Sequence, residues 1–154
     1  ATHSPIDATL TLGHFQDGDA GDIDRAVQAA RAAFPAWRNT PWQDRVALLR
    51  RVATLISERL FDIAAVNSLE VGKNRLEALG DVEETADFIR AYCDIMEQHD
   101  GFVTPQKNEN AHFRNTSFLK PFGVWGVIAP FNFCLLYTSP SPRDRTRSRM
   151  PSPA

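Results

Sequence analysis

The chain has 154 residues, of which 43% are hydrophobic and 23% are charged, and its formal net charge is −2. This composition is that of an ordinary globular domain with enough residues for one hydrophobic core. Residues 134–154 carry four arginines and one aspartate, which leaves an excess of five acidic side chains in residues 1–133. An acidic body argues against nucleic acid as the main partner.

The cysteine count and the N-terminal residues indicate a cytoplasmic setting. Two cysteines, Cys93 and Cys134, are too few for the disulfide framework of a secreted domain. No segment approaches the roughly 18 apolar residues of a membrane span, and the first ten residues lack the features of a signal peptide. We therefore expect a cytoplasmic protein with no membrane partner. No metal site is expected, because the histidines show no metal-ligand spacing: His3, His14, His99 and His112.

Two amphipathic helices are predicted first along the chain. The spacing of apolar residues predicts a helix from Ala20 to Phe34, with Asp19 as its N-cap. Pro35 is expected to end or kink that helix. A second helix is predicted to begin at Thr40-Pro41-Trp42-Gln43, where Thr40 and Gln43 have the spacing of a capping box.

Two further helices follow. The third is predicted over about Leu60 to Val71 and ends at Gly72, which suits a left-handed residue just beyond a helix. The fourth is predicted to begin at Asn74, because Glu77 lies three residues later in a second capping box. Its apolar residues recur at helical spacing and predict one buried face that includes Cys93: Leu79, Val82, Ala86, Ile89, Cys93 and Met96.

The hydrophobic period changes after the fourth helix. Gly101 to Asn110 is polar and is predicted to be a loop, whereas Phe113 to Lys120 suits a half-exposed strand. Val124 to Ala129 is a short apolar run between Gly123 and Pro130, which is typical of a strand buried on both faces of a parallel sheet. Helices followed by such a strand indicate the opening of an α/β domain.

Three stretches of this sequence resemble the aldehyde dehydrogenase superfamily: DIDRAVQAARAAFPAWR, SLEVGKNRLEALGDVEETADFIRAY and PFGVWGVIAPFNF. The resemblance covers about Asp19 to Phe133, and its motifs are most similar to those of the glutamate-γ-semialdehyde (1-pyrroline-5-carboxylate) dehydrogenases of proline degradation. It implies an α/β fold in which residues 1–133 form the N-terminal helices and first strands of a Rossmann-like NAD-binding domain, incomplete here. It also implies that residues 112–120 belong to the oligomerisation sheet of a homodimer or homotetramer.

The resemblance implies a reaction and a set of residues. Members of this superfamily oxidise an aldehyde to a carboxylic acid with NAD or NADP, through attack by a cysteine thiolate. The Asn of the P-F-N-F motif, here Asn132, donates an amide N–H to the developing oxyanion. Without the resemblance, Asn132 is most simply a residue that ends a strand. The neighbouring residues are implied to line the edge of the cofactor cleft: Ile128, Ala129, Pro130 and Phe131.

The superfamily's catalytic cysteine, general-base glutamate and cofactor-binding lysine and serine have no counterpart in the stretches that match. We therefore expect the 154-residue chain to be catalytically incomplete. Cys134 is not assigned as the nucleophile, because the family has Pro at this position and no His or Glu is placed nearby to activate a thiol.

The chain changes character at Cys134. Residues 134–154 are rich in Ser, Pro and Arg, lack periodicity and are predicted to form a disordered tail. We interpret this tail as foreign to the enzyme, since it resembles a translated sequencing adaptor and the break falls inside a motif. The alternative is a non-enzymatic helical interaction module whose basic, disordered tail belongs to it.

Overall fold

The computed structural model describes residues 1–138, and the side chains of residues 1–136. The chain divides into two compact units: unit 1 comprises Ala1–Phe15, Arg51–Arg90 and the chain from Val127 onward, and unit 2 comprises Gln16–Arg50 and Ala91–Gly126. The elements follow in the order β1 (Thr2–His3), β2 (Thr11–Gly13), α1 (Ala20–Asn39), α2 (Trp42–Glu58), α3 (Leu60–Val71), α4 (Arg75–Gln98), β3 (Val103–Pro105), β4 (Thr116–Phe118) and α5 (Cys134–Thr138).

Helix α1 begins as the sequence predicts and ends later than predicted. Asp19 is the N-cap, since its carboxylate accepts from the Asp22 N–H at 2.9 Å while Asp22 accepts from the Asp19 N–H at 3.0 Å. Pro35 lies inside the helix, which continues to Asn39. The expected ending at Pro35 is therefore wrong. One proline removes a single intrahelical hydrogen bond, and residues on both sides of it still form the remaining ones.

The cap predicted for α2 is also wrong in part. The Thr40 hydroxyl donates to the Ala36 carbonyl at 3.0 Å, so this side chain ends α1 and does not cap α2. The predicted end of α3 is confirmed, because Gly72 is left-handed with φ of 75°. The start of α4 is confirmed as well, since the side-chain Oδ1 of Asn74 accepts from the Glu77 N–H at 2.9 Å.

The core of unit 1 lies between α3 and α4. Ala64 of α3 packs with Ala78 and Val82 of α4, and all three are buried. Half-buried side chains surround this core cluster: Ile56, Leu60, Ile63, Leu79 and Leu135. The predicted apolar face of α4 is confirmed, with Val82, Ala86, Ile89 and Cys93 each at most 3% exposed. Helical spacing thus identified the residues that face the core.

The strands are short and form two antiparallel pairs. β1 pairs with β2, and β3 pairs with β4 so that Val103 faces Phe118 and Pro105 faces Thr116. β4 covers only three residues of the strand predicted over 113–120, and β3 lies within the stretch predicted to be a loop. Before β3 the chain turns at Gly101, where φ is 67° and a Cβ would lie 2.3 Å from Trp42 Cδ1. Only glycine fits that turn.

The strand predicted for Val124–Ala129 does not form. These residues have no regular secondary structure, and Ile128 is 99% exposed. A strand buried on both faces needs a hydrogen-bonded neighbour and covering helices, and residues 1–138 provide neither for this stretch. The prediction of its apolar character was correct, and the prediction of its burial was wrong.

Regular structure continues past the position where the sequence changes character. Cys134–Thr138 form α5, and Leu136 within it is buried. These five residues therefore differ from the predicted disordered tail, because Leu135 and Leu136 supply apolar side chains that pack in unit 1. The rest of that tail, residues 139–154, lies outside the described residues. Within residues 1–138, no helix combines the length and the apolarity that crossing a membrane requires.

Candidate functional site around the turn Phe131–Phe133

Asn132 lies in the middle of a short 3₁₀ turn, Phe131–Phe133. Pro130 precedes the turn in an extended conformation, with φ of −65° and ψ of 144°, and its carbonyl accepts from the Phe133 N–H at 3.2 Å. The proline ring fixes φ, so the entry to the turn is locally determined. Asn132 itself is half-buried. Its backbone is held on both sides, since α5 begins directly after Phe133.

The four residues predicted to meet the cofactor lead into this turn. Ile128 is 99% exposed and Phe131 is 78% exposed, while Ala129 is half-buried. Ile128, Ala129 and Pro130 belong to no helix or strand pair, and Phe131 begins the 3₁₀ turn. The structure thus places Ile128–Phe131 directly beside Asn132, as a largely exposed approach to the turn.

Phe133 attaches the turn to the rest of unit 1. The Lys73 ammonium nitrogen lies 3.9 Å from the centroid of the Phe133 ring, within the range of a cation–π interaction. Two residues later, Leu135 packs against the core cluster of Ala64, Ala78 and Val82. The segment that carries Asn132 is therefore held by one aromatic contact and one apolar contact.

Asn67, Lys73 and Asp81 form a polar cluster, which contacts the Phe133 ring through Lys73. Lys73 Nζ is 3.0 Å from Asp81 Oδ2, and Asn67 Nδ2 donates to the same oxygen at 2.7 Å. The Lys73 side chain is 9% exposed and that of Asp81 is 2% exposed. A charge is rarely buried without a partner, and here each charge has one.

Sequence reasoning missed this polar cluster. Lys73 precedes α4 and Asp81 lies within it, so helical periodicity does not relate the two side chains. The available signal was Lys73 itself, which occupies the single position between the helix-ending Gly72 and the helix-capping Asn74.

Cys93 is confirmed as a core residue. It is 1% exposed, and its Sγ lies 3.8 Å from the Val46 carbonyl oxygen, to which it donates. Burial raises the pKa of the Cys93 thiol, and the nearby Arg50 only partly opposes this effect. A buried thiol with a raised pKa is a poor nucleophile. Cys134, by contrast, is exposed at the start of α5.

Other features of the described chain supply no chemistry of their own. Within residues 1–138, no group of three or more His, Cys, Asp or Glu side chains is placed to hold a metal ion. Unit 1 contains an open groove of about 610 Å³ whose lining combines apolar side chains, such as Ile6, Phe61 and Leu79, with the cationic Lys73 and Arg75.

The sequence profile described as the aldehyde dehydrogenase family matches residues 1–140, and the chain belongs to this family. Among its curated relatives, 1-pyrroline-5-carboxylate dehydrogenase of Staphylococcus haemolyticus is 40% identical over 131 residues, which are 84% of this chain and 25% of that protein. Alpha-ketoglutaric semialdehyde dehydrogenase of Bacillus subtilis is 35% identical over 130 residues, or 84% of this chain and 26% of that protein. The chain thus spans about a quarter of the length of these relatives.

Two solved structures superpose on most of this chain. A structure described as an NADP-dependent enzyme of E. coli superposes on this chain with a TM-score of 0.79 at 28% sequence identity. The superposition covers 90% of this chain and 28% of the E. coli enzyme. PnpE, solved in complex with nicotinamide adenine dinucleotide, gives a TM-score of 0.76 at 33% identity over the same shares of the two chains. These similarities confirm the predicted α/β fold class as a partial, mostly helical piece of it.

Proposed function

We propose that this chain is the N-terminal part of an NAD(P)-dependent aldehyde dehydrogenase that oxidises glutamate γ-semialdehyde, an intermediate of proline degradation, to the carboxylic acid. The family match over residues 1–140 supports the reaction class. The substrate is supported by the 1-pyrroline-5-carboxylate dehydrogenases among the relatives, which are 34–40% identical to this chain. The 154-residue chain alone is proposed to be inactive, because the family's catalytic cysteine and glutamate have no counterpart in the motifs that match.

The observation that carries the proposal is the position of Asn132 in the turn Phe131–Phe133. When a thiolate adds to an aldehyde, the carbonyl oxygen becomes an oxyanion that needs a fixed hydrogen-bond donor. A carboxamide donates without titrating, and the hydrogen bond from Phe133 N–H to the Pro130 carbonyl holds the backbone of Asn132 in place before reaction. A preorganised donor of this kind lowers the barrier by about 3–4 kcal/mol.

The approach to the turn fits a nicotinamide cofactor. Ile128, Pro130 and Phe131 are exposed and Ala129 is half-buried beside Asn132, and apolar side chains such as these suit a flat ring. When bound, NAD or NADP would accept the hydride that leaves the substrate carbon. The role of these residues is to orient the cofactor toward the aldehyde that Asn132 holds and to exclude water from it.

The assembly and the location of the enzyme are part of the same proposal. Residues 112–120 are proposed to contribute to an intersubunit sheet in a homodimer or homotetramer. β4, which lies in this stretch, pairs with β3 on one side, and among the described residues its other edge has no partner strand. The scarcity of cysteine supports a cytoplasmic location.

The test is a chimera in which residues 1–133 replace the matching segment of the Staphylococcus haemolyticus enzyme. The chimera is expected to form NADH from glutamate γ-semialdehyde, and Asn132→Ala is expected to lower its kcat by about 10²–10³-fold while NAD affinity is unchanged. Asn39→Ala, which removes an exposed amide at the end of α1, is the matched control. A chimera that unfolds cooperatively yet forms no NADH, or one indifferent to Asn132→Ala, contradicts the proposal.

A further inference from the structure

We propose that Lys73 is a positioning residue, which fixes the turn that carries Asn132 through its contact with the Phe133 ring. Lys73 Nζ lies 3.9 Å from the centroid of that ring. Phe133 is the residue after Asn132, so the ammonium group acts one peptide unit away from the amide. This inference rests on the proposed function for its catalytic meaning, whereas the contact itself can be tested without any activity.

The backbone of Lys73 is fixed at both ends. Gly72 ends α3 in the left-handed conformation, and Asn74 caps α4 through a hydrogen bond of 2.9 Å from the Glu77 N–H. Lys73 is therefore the single residue between two caps, and the direction in which its side chain leaves the backbone is set by both helices. A contact from such a residue therefore fixes the position of the turn relative to α3 and α4.

The side chain of Lys73 is also fixed. It is 9% exposed, and Asp81, 2% exposed, accepts from Nζ through Oδ2 at 3.0 Å. Asn67 donates to that same oxygen at 2.7 Å, which holds the carboxylate from its other side. The ammonium thus lies between a carboxylate and an aromatic face, and both interactions strengthen in a desolvated environment.

A contribution to folding stability does not by itself explain the burial of the Lys73–Asp81 pair. A buried ion pair usually contributes little more than apolar side chains of the same volume, because both charges lose their hydration. Asp81 Oδ1 is buried and has no hydrogen-bond partner within residues 1–138. What the pair provides is a defined place for a positive charge beneath the Phe133 ring.

Nuclear magnetic resonance of the full 154-residue chain tests the contact. The sequence contains three lysines, Lys73, Lys107 and Lys120, and the latter two are exposed, so selective lysine labelling gives three assignable ε-methylene signals. We expect the Lys73 signal to be displaced upfield by the Phe133 ring current and to return to the position of the other two in Phe133→Leu. Phe131→Leu removes the exposed ring two residues earlier and should leave the displacement intact. An undisplaced Lys73 signal overturns the inference.

Amide hydrogen exchange tests the consequence. Lys73→Met keeps most of the side-chain length and removes the charge, and it should speed exchange of the Phe133 amide, which bonds to the Pro130 carbonyl at 3.2 Å, by on the order of tenfold. Phe133→Leu should do the same, and Lys73→Arg should restore slow exchange. The reference is the Ser4 amide, which bonds to the Leu10 carbonyl at 3.0 Å in the same unit 1.

The outcomes separate a positioning role from a general contribution to stability. Faster exchange at Phe133 with unchanged exchange at Ser4 supports the inference. Equal acceleration at both amides, or none at Phe133, overturns it. Neither result depends on turnover, so failure of the enzymatic proposal would appear in the chimera assay and leave these measurements unaffected.

Discussion

The two cysteines of this chain have opposite environments. Cys93 is 1% exposed on the buried face of α4, and burial raises its pKa. Cys134 is exposed at the first position of α5. A thiol reacts as the thiolate, and it must also be reached by the reagent. Cys93 meets neither requirement, whereas Cys134 is accessible.

Thiol labelling of the folded chain is therefore expected to proceed in two phases. The Cys134→Ser variant should keep only the slow phase, because Cys93 is buried and largely protonated at neutral pH. The slow phase should become faster as pH rises toward the raised pKa of Cys93. The measurement is release of the chromophore from a disulfide reagent, with the urea-unfolded chain as the reference. Rapid labelling of folded Cys134→Ser would contradict the burial of Cys93.

The Cys93 thiol also links stability to pH. Because the folded-state pKa is raised, the folded chain retains a proton that the unfolded chain loses above the ordinary pKa of cysteine. The contribution of Cys93 to the free energy of unfolding is thus fully present below that ordinary pKa. It decreases as pH rises through the pKa of the folded state. No acid-side loss of stability is expected from Cys93.

At the scale of the element, α1 depends on its first turn more than on burial. None of its residues is buried. The capping box between Asp19 and Asp22 and the ion pair of Asp22 with Arg25 stabilise its start. The hydrogen bond from the Asp19 N–H, followed by that from Arg25, lowers the pKa of Asp22 below its ordinary value. Charge and capping therefore replace packing at this end of the helix.

Removing the cap is expected to destabilise the chain measurably. Asp19→Ala should lower the free energy of unfolding by about 1 kcal/mol, the usual value for an N-cap carboxylate. Asp24→Ala is the matched control, because Asp24 is an exposed residue of the same helix outside the capping box. Urea titrations monitored by circular dichroism measure both variants. An equal loss in the two variants would mean that charge, and not the cap, accounts for the effect.

The pH dependence of the capping box follows from the lowered pKa of Asp22. Its stabilising contribution is fully present above the unfolded value, about 4 for an aspartate, and is lost as pH falls through the folded value. The difference between the chain and Asp22→Asn is therefore expected to shrink at acidic pH.

The helices were predictable because their signals are local. Gly72 and Asn74 lie within four residues of the backbone groups that they satisfy, so sequence spacing alone identifies them. Thr40 shows the limit of such reasoning: the same hydroxyl can serve the preceding or the following helix, and here it bonds back to Ala36. Spacing cannot decide between two local partners of similar geometry.

The features that the sequence did not predict depend on contacts between residues that are far apart along the chain. Val124–Ala129 has the composition of a buried strand, but a strand forms only when another strand offers it hydrogen bonds. The contact between Lys73 and Phe133 joins residues 60 positions apart, and no periodicity connects them. Asn132 was recognisable through a family motif, whereas the residues that hold its turn were visible only once the chain was folded.

At the scale of the whole molecule, the described surface is unusually apolar in one stretch. Between Phe122 and Phe131, six large apolar side chains are exposed: Phe122, Val124, Trp125, Val127, Ile128 and Phe131. Single exposed apolar residues are common on protein surfaces, but a run of six within ten residues is unusual and favours association. The relatives are about four times longer than the matched stretch.

The isolated 154-residue chain is therefore expected to self-associate. Its apparent mass by light scattering should rise with concentration, and it should bind a hydrophobic dye in its folded state, because Ile128 and Phe131 are 99% and 78% exposed. The variant Ile128→Ser/Phe131→Ser should reduce both signals without lowering the melting temperature, since exposed side chains contribute little to folding. Val82→Ser is the contrasting variant: Val82 is fully buried in the core of unit 1, so this change should lower the melting temperature and increase dye binding. A chain that stays monomeric and binds no dye would show that these side chains are covered by the chain itself.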